Sequence, residues 1–227
     1  MRSRALVAAS AVLAGSLVAA SLLGLATAAA ASVPAPTPRE VIERTARQVL
    51  AVLDDPSLDH DARIHRIERI ADARFDFRTV ARLVLARHWR QLTAEQRDEF
   101  VREFKRHLSV TYGRNLDLYS HQSVEILGDR EEARGDWSVQ TRIVGGDPPD
   151  EILVDYRLRR IGGEWKIIDV VVEHVSLIAN FRSQLAELIS RRGVEGTLAL
   201  LREKNASGES ILPEEERSLA ERGRAQR

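Results

Sequence analysis

Residues 151–160 read EILVDYRLRR, a decapeptide in which apolar and charged side chains alternate. One side of the pattern is apolar and consists of Ile152, Val154, Tyr156 and Leu158. The other side is charged and consists of Asp155, Arg157 and Arg159. A repeat of two residues is typical of a β-strand with one buried face and one solvated face. We therefore predict a strand over Glu151–Arg160.

Three further strands are predicted around this one. Their ranges are Gln122–Leu127, Trp137–Val144 and Trp165–Val172. The segments between consecutive strands are short and contain turn residues, as in GGDPP at 145–149 and Gly162-Gly163. Connections of this length and chemistry join neighbouring antiparallel strands. The four strands should therefore form an antiparallel meander.

Helical periodicity occurs on both sides of the strand block. Apolar residues three and four apart predict helices over 38–53, about 59–73, about 94–118 and about 194–204. Two more helices should begin after the capping residues Asp76 and Ser176. Helices before the strands and helices after them, without βαβ alternation, indicate an α+β domain.

The first 31 residues have the three parts of a secretory signal peptide. Two arginines precede an uncharged run from Ala5 to about Ala31, and the run ends in small residues. Because about 20 apolar residues span a bilayer, a retained anchor is the alternative. The Pro-containing linker at 32–37 favours cleavage near Ala31 and export. One domain should then occupy 38–205, followed by a charged tail at 206–227 that is disordered or loosely helical.

Composition excludes several classes of function. Removal of the signal peptide takes two of the 34 basic residues and leaves 32 against 34 acidic ones, which argues against a nucleic-acid partner. The chain has no cysteine, and it lacks the common nucleophile, zinc-protease and nucleotide-binding motifs. His60 and His65 are five residues apart, a poor spacing for two metal ligands on one helix. We therefore predict no enzyme, no catalytic residue, no metal and no cofactor.

One cluster near the end of the last predicted strand has acid–base potential, and it consists of Asp169, Glu173 and His174. Strand alternation places Asp169 on the same face as Ile167 and on the opposite face from Val170. The carboxylates could form a catalytic pair, or they could fix loops and pair with arginines. We favour the second interpretation.

Three stretches of the chain carry a family resemblance. The first is 75–90 (FDFRTVARLVLARHWR). The second is 92–96 (LTAEQ), followed by Phe100, Phe104, Leu108 and Thr111-Tyr112. The third is 154–158 (VDYRL), followed by 165–173 (WKIIDVVVE), 175–177 (VSL) and 180–184 (NFRSQ). In order and spacing over 38–205, the chain resembles the MlaC (toluene-tolerance Ttg2D) family. Members of that family are periplasmic phospholipid-binding components of an ABC lipid-trafficking system. Two positions depart from the family pattern, because His174 and Phe181 stand where glycine and tyrosine are expected.

The resemblance implies a four-stranded, curved antiparallel sheet packed against helices, with an apolar lipid pocket between them. It also implies a periplasmic protein whose ligand is a phospholipid. The expected partners are an inner-membrane ABC transporter complex with an MCE-domain protein and an outer-membrane lipoprotein complex. Shuttling of phospholipid between these complexes would maintain the lipid asymmetry of the outer membrane.

The pocket should be lined by apolar residues from one face of the sheet and from the facing helices. The candidates are Leu83, Val84, Leu108, Tyr112, Val139, Ile143, Ile152, Val154, Tyr156, Ile168, Val170, Val172, Val175, Ile178 and Phe181. Tyr112 and Tyr156 combine a ring with a polar tip and suit the mouth of a pocket. Each candidate can also be an ordinary core residue, because periodicity does not distinguish a filled core from a lined cavity.

Two other classes of function stay open at the level of the sequence. A cone-shaped α+β domain of the nuclear-transport-factor-like kind can host a small-molecule enzyme, with Asp155 and Asp169 as polar residues in its pocket. A protein-binding module, whose apolar positions fill the core, is the second alternative. Within the carrier interpretation, the ligand could also be another lipid, such as a hopanoid or a fatty acid.

Overall fold

The computed structural model describes residues 35–113, 122–145 and 150–212. Its helices are α1 Pro38–Leu53, α2 His60–Arg74, α3 Phe77–Leu85, α4 Ala94–Gly113 and α5 Leu177–Ser207. Its strands are β1 Gln122–Glu131, β2 Trp137–Gly145, β3 Asp150–Ile161, β4 Glu164–Val172 and β5 Val175–Ser176. Helices precede and follow an antiparallel sheet, which confirms the predicted α+β class.

Helices begin at the predicted capping signals. Thr37 Oγ1 accepts the N–H of Glu40 at 3.2 Å, and Glu40 Oε2 accepts the N–H of Thr37 at 2.7 Å. With Pro38 at the first helical position, this is a complete capping box for α1. Asp76 and Ser176 begin α3 and α5 in a similar way, since each side chain accepts the backbone N–H three residues further on.

The sheet is an antiparallel meander in the order β1-β2-β3-β4-β5. The predicted count of four strands is wrong, because the two residues of β5 pair back onto the end of β4, with Val172 opposite Val175. A two-residue strand is too short to show a period in the sequence. The tight turn before it places Glu173 and His174 at φ 45° and 67°. This left-handed region favours glycine, the residue that the family resemblance leads us to expect at position 174.

The pairing of β3 with β4 contains one shift in register. Consecutive residues of β3 pair with Asp169 and then with Ile167, which leaves Ile168 as an extra residue on β4. As a result, Ile167 and Val170 contribute to the same apolar cluster. The predicted alternation, which places these two residues on opposite faces, is wrong here because a bulge interrupts the repeat of two.

Two clusters contain most of the buried hydrophobic side chains. The sheet core lies between α1 and the sheet and consists of Val41, Ile42, Val139, Leu158 and Ile167. The helical core lies between α3, α4 and α5. Its aromatic centre is a stack of Phe100 on Phe104, 5.4 Å apart, which Phe181 meets edge-on at 5.0 Å from Phe104. The other members of the helical core are Val80, Ala81, Val84, Leu85, Leu92, Ile178, Leu185, Ile189, Leu198, Leu201 and Leu212.

The last helix bends at Gly193, where φ 69° and ψ −179° are not helical. The two helices predicted in this region are therefore two segments of α5 that meet at a glycine. The α5 helix ends at Gly208, whose φ of 70° is typical of a helix C-terminus.

The packed domain continues past the predicted boundary at residue 205. Leu212 is only 2% exposed and belongs to the helical core. The backbone N–H of Ile211 donates to Nε2 of His107 at 3.0 Å, which fixes the C-terminal segment against α4. The charged tail predicted from 206 therefore contains a packed segment at its start.

Some predicted segments lie outside the described residues. They are the signal peptide at 1–31, the start of the linker at 32–34, the predicted helix continuation at 114–118 and tail residues 213–227. Among the described residues, no helix combines the length and the apolar character that crossing a membrane requires.

Candidate functional site

The first of two large cavities lies between α1 and the sheet. It has a volume of about 250 Å³, and we name it the α1 cavity. Its walls are Ile42, Thr45, Ala46, Val49, Leu50, Leu53, Gln122, Val124, Ile143 and Tyr156. The N-terminal part of α1 packs on the sheet core through Val41 and Ile42, whereas its later turns face this cavity.

The second large cavity lies between α2, α4 and the sheet and has a volume of about 200 Å³. We name it the α2 cavity. It is lined by Ile64, Ile67, Glu68, Ala71, Phe75, Phe77, Lys105, Leu108, Ser109, Tyr112, Gly113, Val170 and Leu177. None of the 15 residues of α2 is buried, although the helix carries three isoleucines. The apolar side of α2 therefore faces a cavity and not a packed core.

A small inner cavity of about 30 Å³ lies where the helical core meets β4. Its walls are Phe75, Val80, Phe104, Leu108, Ile168, Asp169, Val170, Leu177, Ile178 and Phe181. Four of these residues also line the α2 cavity, namely Phe75, Leu108, Val170 and Leu177. The two spaces are thus separated by a shared wall of apolar side chains.

The α1 and α2 cavities lie along the same face of the sheet. Tyr156 lines the first and Val170 lines the second, and these two residues pair directly across β3 and β4. Both cavities have predominantly apolar walls. Taken together, their volume falls in the range of about 300–1,000 Å³ that ligand pockets occupy.

Each large cavity is lined by one tyrosine, Tyr156 in the α1 cavity and Tyr112 in the α2 cavity. Burial raises the pKa of Tyr112 to about 12 and the pKa of Tyr156 to about 12. Both phenols therefore stay protonated at neutral pH and can donate a hydrogen bond. Neither hydroxyl has a hydrogen-bond partner in the described part of the chain, so each is available to a polar group of a ligand.

Charged groups occur at the rim of the α2 cavity. Lys105 Nζ lies 2.7 Å from Asp72 Oδ2, and Glu68 lines the cavity one turn earlier on α2. The ammonium of Lys105 also lies 5.8 Å from the ring centre of Phe77. The interior is thus apolar, and a mixed-charge cluster borders it.

The carboxylates near the end of β4 have structural partners. Asp169 accepts from Ser176 Oγ at 2.7 Å and from the N–H of Ile178 at 3.2 Å, and it lies 4.0 Å from the Arg157 guanidinium. Glu173 accepts the N–H of the β3 residue Leu153 at 2.6 Å. These contacts confirm the interpretation that the two carboxylates fix the connection between sheet and helix.

The structure does not bring the proposed acidic dyad together in one cavity. Asp169 borders the inner cavity, whereas Asp155 lines none of the three. Within residues 35–113, 122–145 and 150–212, no group of three or more histidine, aspartate or glutamate side chains could hold a metal ion.

Eight of the fifteen predicted pocket residues line one of the cavities. Those in the two large cavities are Ile143, Tyr156, Leu108, Tyr112 and Val170. Those in the inner cavity alone are Ile168, Ile178 and Phe181. The remaining seven line none of the three cavities, and they are Leu83, Val84, Val139, Ile152, Val154, Val172 and Val175. Several of these, including Val84 and Val139, are fully packed core residues at 1% and 0% exposure.

Sequence reasoning missed the contributions of α1 and α2. The residues it missed include Thr45, Ala46, Val49, Ile64, Ile67 and Ala71. The apolar stripes of both helices are visible in the sequence. The pattern contains no sign that these stripes face open space.

Comparisons with known proteins identify relatives of the chain. The family model described as "MlaC protein" matches residues 43–203. "Toluene tolerance protein ttg2D" of Pseudomonas putida is 28% identical over 171 residues, which cover 71% of this chain and 77% of that protein. "Intermembrane phospholipid transport system binding protein MlaC" of Haemophilus influenzae is 25% identical over 127 residues, covering 55% of this chain and 59% of that protein.

A solved structure shares the fold. It is the phospholipid-binding protein from Ralstonia solanacearum in complex with a phospholipid. The TM-score is 0.66 and the sequence identity is 27%, and the match covers 74% of this chain and 96% of the Ralstonia chain.

Proposed function

This chain belongs to the MlaC family, and on that premise we propose that it binds phospholipid and carries it between two membranes. The main support is the likeness to a protein that holds a phospholipid on the same fold. The α1 and α2 cavities supply what such a ligand needs, namely apolar space along one face of the sheet. In this proposal the acyl chains of one lipid occupy these two cavities.

The energetics of lipid transfer explain why a carrier needs enclosed cavities. Two acyl chains expose roughly 30 methylene groups, each of which contributes about 0.8 kcal/mol on burial. On the order of 20 kcal/mol therefore opposes free desorption into water. A shallow groove would offset only part of this cost. Apolar walls on several sides of each chain offset more of it.

The proposed compartment is the periplasm. The signal peptide predicted at 1–31 would direct export, and its removal leaves a chain of nearly balanced charge. Such a chain has little electrostatic attraction to anionic bilayers, so loading and release would depend on docking to membrane complexes. The proposed complexes are an inner-membrane ABC transporter with an MCE-domain protein and an outer-membrane lipoprotein complex. Transfer between them would maintain the lipid asymmetry of the outer membrane.

The test is native mass spectrometry of residues 32–227 purified after export, followed by lipid extraction. We expect a bound mass that matches a two-chain phospholipid. A ligand-free mass that persists after incubation with liposomes would contradict the proposal. Detection of a bound hopanoid or fatty acid would mean that the chain is a carrier of that lipid and not of phospholipid.

A pair of variants on α2 locates the binding site. Ile67 lines the α2 cavity, whereas Ile70 on the same helix lines none of the three cavities, and both side chains are partly exposed. We expect Ile67→Arg to remove bound lipid, because a charge in an apolar cavity is costly. Ile70→Arg is the control and should retain lipid. Equal lipid content in both variants would exclude the α2 cavity as the site.

A further inference from the structure

Three polar side chains form a row of hydrogen-bond donors on one side of α4. Lys105, Ser109 and Tyr112 are spaced by four and three residues, so they lie on one helix face, and all three line the α2 cavity. They provide an ammonium, an aliphatic hydroxyl and a phenol. The hydroxyls of Ser109 and Tyr112 have no hydrogen-bond partner within the described ranges. Lys105 donates to Asp72 and lies over the Phe77 ring, and its ammonium has three donors in total.

Two carboxylates face this row from α2. Glu68 and Asp72 are four residues apart, and Asp72 contacts Lys105 while Glu68 lines the cavity. The side chains of Glu68, Asp72 and Lys105 are 33%, 46% and 35% exposed. They therefore lie where the apolar interior meets solvent. We name Glu68, Asp72, Lys105 and Ser109 the rim of the α2 cavity.

We propose that this rim selects a zwitterionic head group, a phosphate that carries an ammonium, over a head group with net negative charge. This inference rests on the proposed function. The donors of α4 would bind the phosphate, and the carboxylates of α2 would bind the ammonium. The apolar walls below the rim require that the head group arrive attached to acyl chains.

The charge of the rim supports this selection. The rim itself has two carboxylates against one ammonium, and Glu68 also contacts Nδ1 of His65 at 3.3 Å, a side chain that is 71% exposed and lies outside the rim. The excess of carboxylates repels a head group with net negative charge. In a zwitterionic head group, the phosphate meets the donors of α4 and the ammonium meets the carboxylates of α2. Because the groups are partly exposed, solvent and salt screen the effect, and we expect a preference of about two- to fivefold.

The chain contains a matched ion pair that has no cavity beside it. Arg78 Nη1 lies 2.7 Å from Asp98 Oδ1 and links α3 to α4, as Lys105 and Asp72 link α2 to α4. Neither Arg78 nor Asp98 lines any of the three cavities. Asp98→Asn therefore reproduces the charge change and the loss of an interhelix ion pair away from the rim.

The experiment loads lipid-free protein from vesicles of equal parts phosphatidylethanolamine and phosphatidylglycerol. The two lipids extracted from the reisolated protein are then quantified. We expect the wild-type protein and Asp98→Asn to be enriched about two- to fivefold in phosphatidylethanolamine. Asp72→Asn and Glu68→Gln should move the ratio towards that of the vesicles. Lys105→Gln should lower the loading of both lipids, because both carry a phosphate.

The readouts separate this inference from the proposed function. Total lipid per protein tests whether the chain binds phospholipid, and the ratio of the two lipids tests the rim. If total lipid per protein is normal but the two lipids are bound in the same ratio as in the vesicles, the inference is overturned and the proposed function stands. The same conclusion follows if Asp72→Asn and Asp98→Asn bind the two lipids in the same ratio. Absence of any loading would overturn both.

Discussion

The helices α2 and α3 follow each other in the chain and have opposite environments. Four of the nine residues of α3 are buried, namely Val80, Ala81, Val84 and Leu85, and all belong to the helical core. None of the 15 residues of α2 is buried, and its isoleucines Ile64 and Ile67 line a cavity. Both helices have an apolar stripe.

The difference shows that an amphipathic helix does not by itself indicate a packed core. Burial of α3 arises because α4 and α5 bring the rings of Phe100, Phe104 and Phe181 against it. Opposite α2, the sheet and α4 leave space. In the proposed function, acyl chains fill that space and replace the missing side-chain contacts.

The largest expected effect comes from removing a ring from the helical core. Phe100 is 2% exposed and lines none of the three cavities, and Phe100→Ala should lower the free energy of unfolding by about 3–5 kcal/mol. Leu108→Ala should cost less, about 2 kcal/mol, because Leu108 is only partly buried and already borders two cavities. Urea denaturation of lipid-free protein measures both. Equal losses would contradict the distinction between core and cavity.

Two alanine-to-phenylalanine substitutions test the difference between the helical core and the α2 cavity. Ala81 is 0% exposed in the helical core, and Ala81→Phe should destabilise by about 1–3 kcal/mol or more through overpacking. Ala71 lines the α2 cavity, so Ala71→Phe should leave stability nearly unchanged and greatly reduce bound lipid. Thermal unfolding and lipid extraction give the two readouts. Full lipid content in Ala71→Phe would place the ligand elsewhere.

The helical core also contains a buried histidine, which predicts a dependence on pH. His107 Nε2 accepts the N–H of Ile211 at 3.0 Å, so the ring proton lies on Nδ1 and is donated to Asn205 Oδ1 at 2.9 Å. Burial lowers the pKa of His107, and the bond to Asn205 opposes this only in part. Because the folded pKa lies below the unfolded value of about 6.5, the stabilisation is complete above that value and is lost as the pH falls through the folded pKa.

The measurement compares melting temperatures at pH 7.5 and pH 5. The wild-type protein should lose stability at the lower pH, while His107→Gln should be less stable at neutral pH and change less between the two. An identical pH response in both proteins would show that other groups cause the acid sensitivity.

The smallest effect is expected at the start of α1, which forms a wall of the α1 cavity. Thr37→Ala removes the capping box and should cost about 1 kcal/mol. Thr93→Ala removes the equivalent bond to the N–H of Gln96 at the start of α4 and should cost a similar amount. Only Thr37→Ala should accelerate lipid release to acceptor vesicles, since α4 is also held by the helical core. Equal release rates would show that α1 does not control the α1 cavity.

The predicted site was partly recoverable from the sequence. Alternation along β3 selected Tyr156, and helical spacing along α4 selected Leu108 and Tyr112, and all three line a cavity. The same rules also selected Val84 and Val139, which are packed in the cores. The reason is that each rule reports only that a residue faces inward, whereas the distance between two opposing surfaces decides whether that residue meets another side chain or a cavity.

The order of elements, the helix starts, the antiparallel meander and the family were all predictable from the amino-acid sequence alone. These features depend on local chemistry, such as the capping of α1 by Thr37 and the period of two in β3. Four features became visible only in the three-dimensional structure, namely the bulge at Ile168, the two-residue β5, the packing of Leu212 and the presence of the cavities. Each of these depends on contacts between segments far apart in the chain, which a local pattern does not encode.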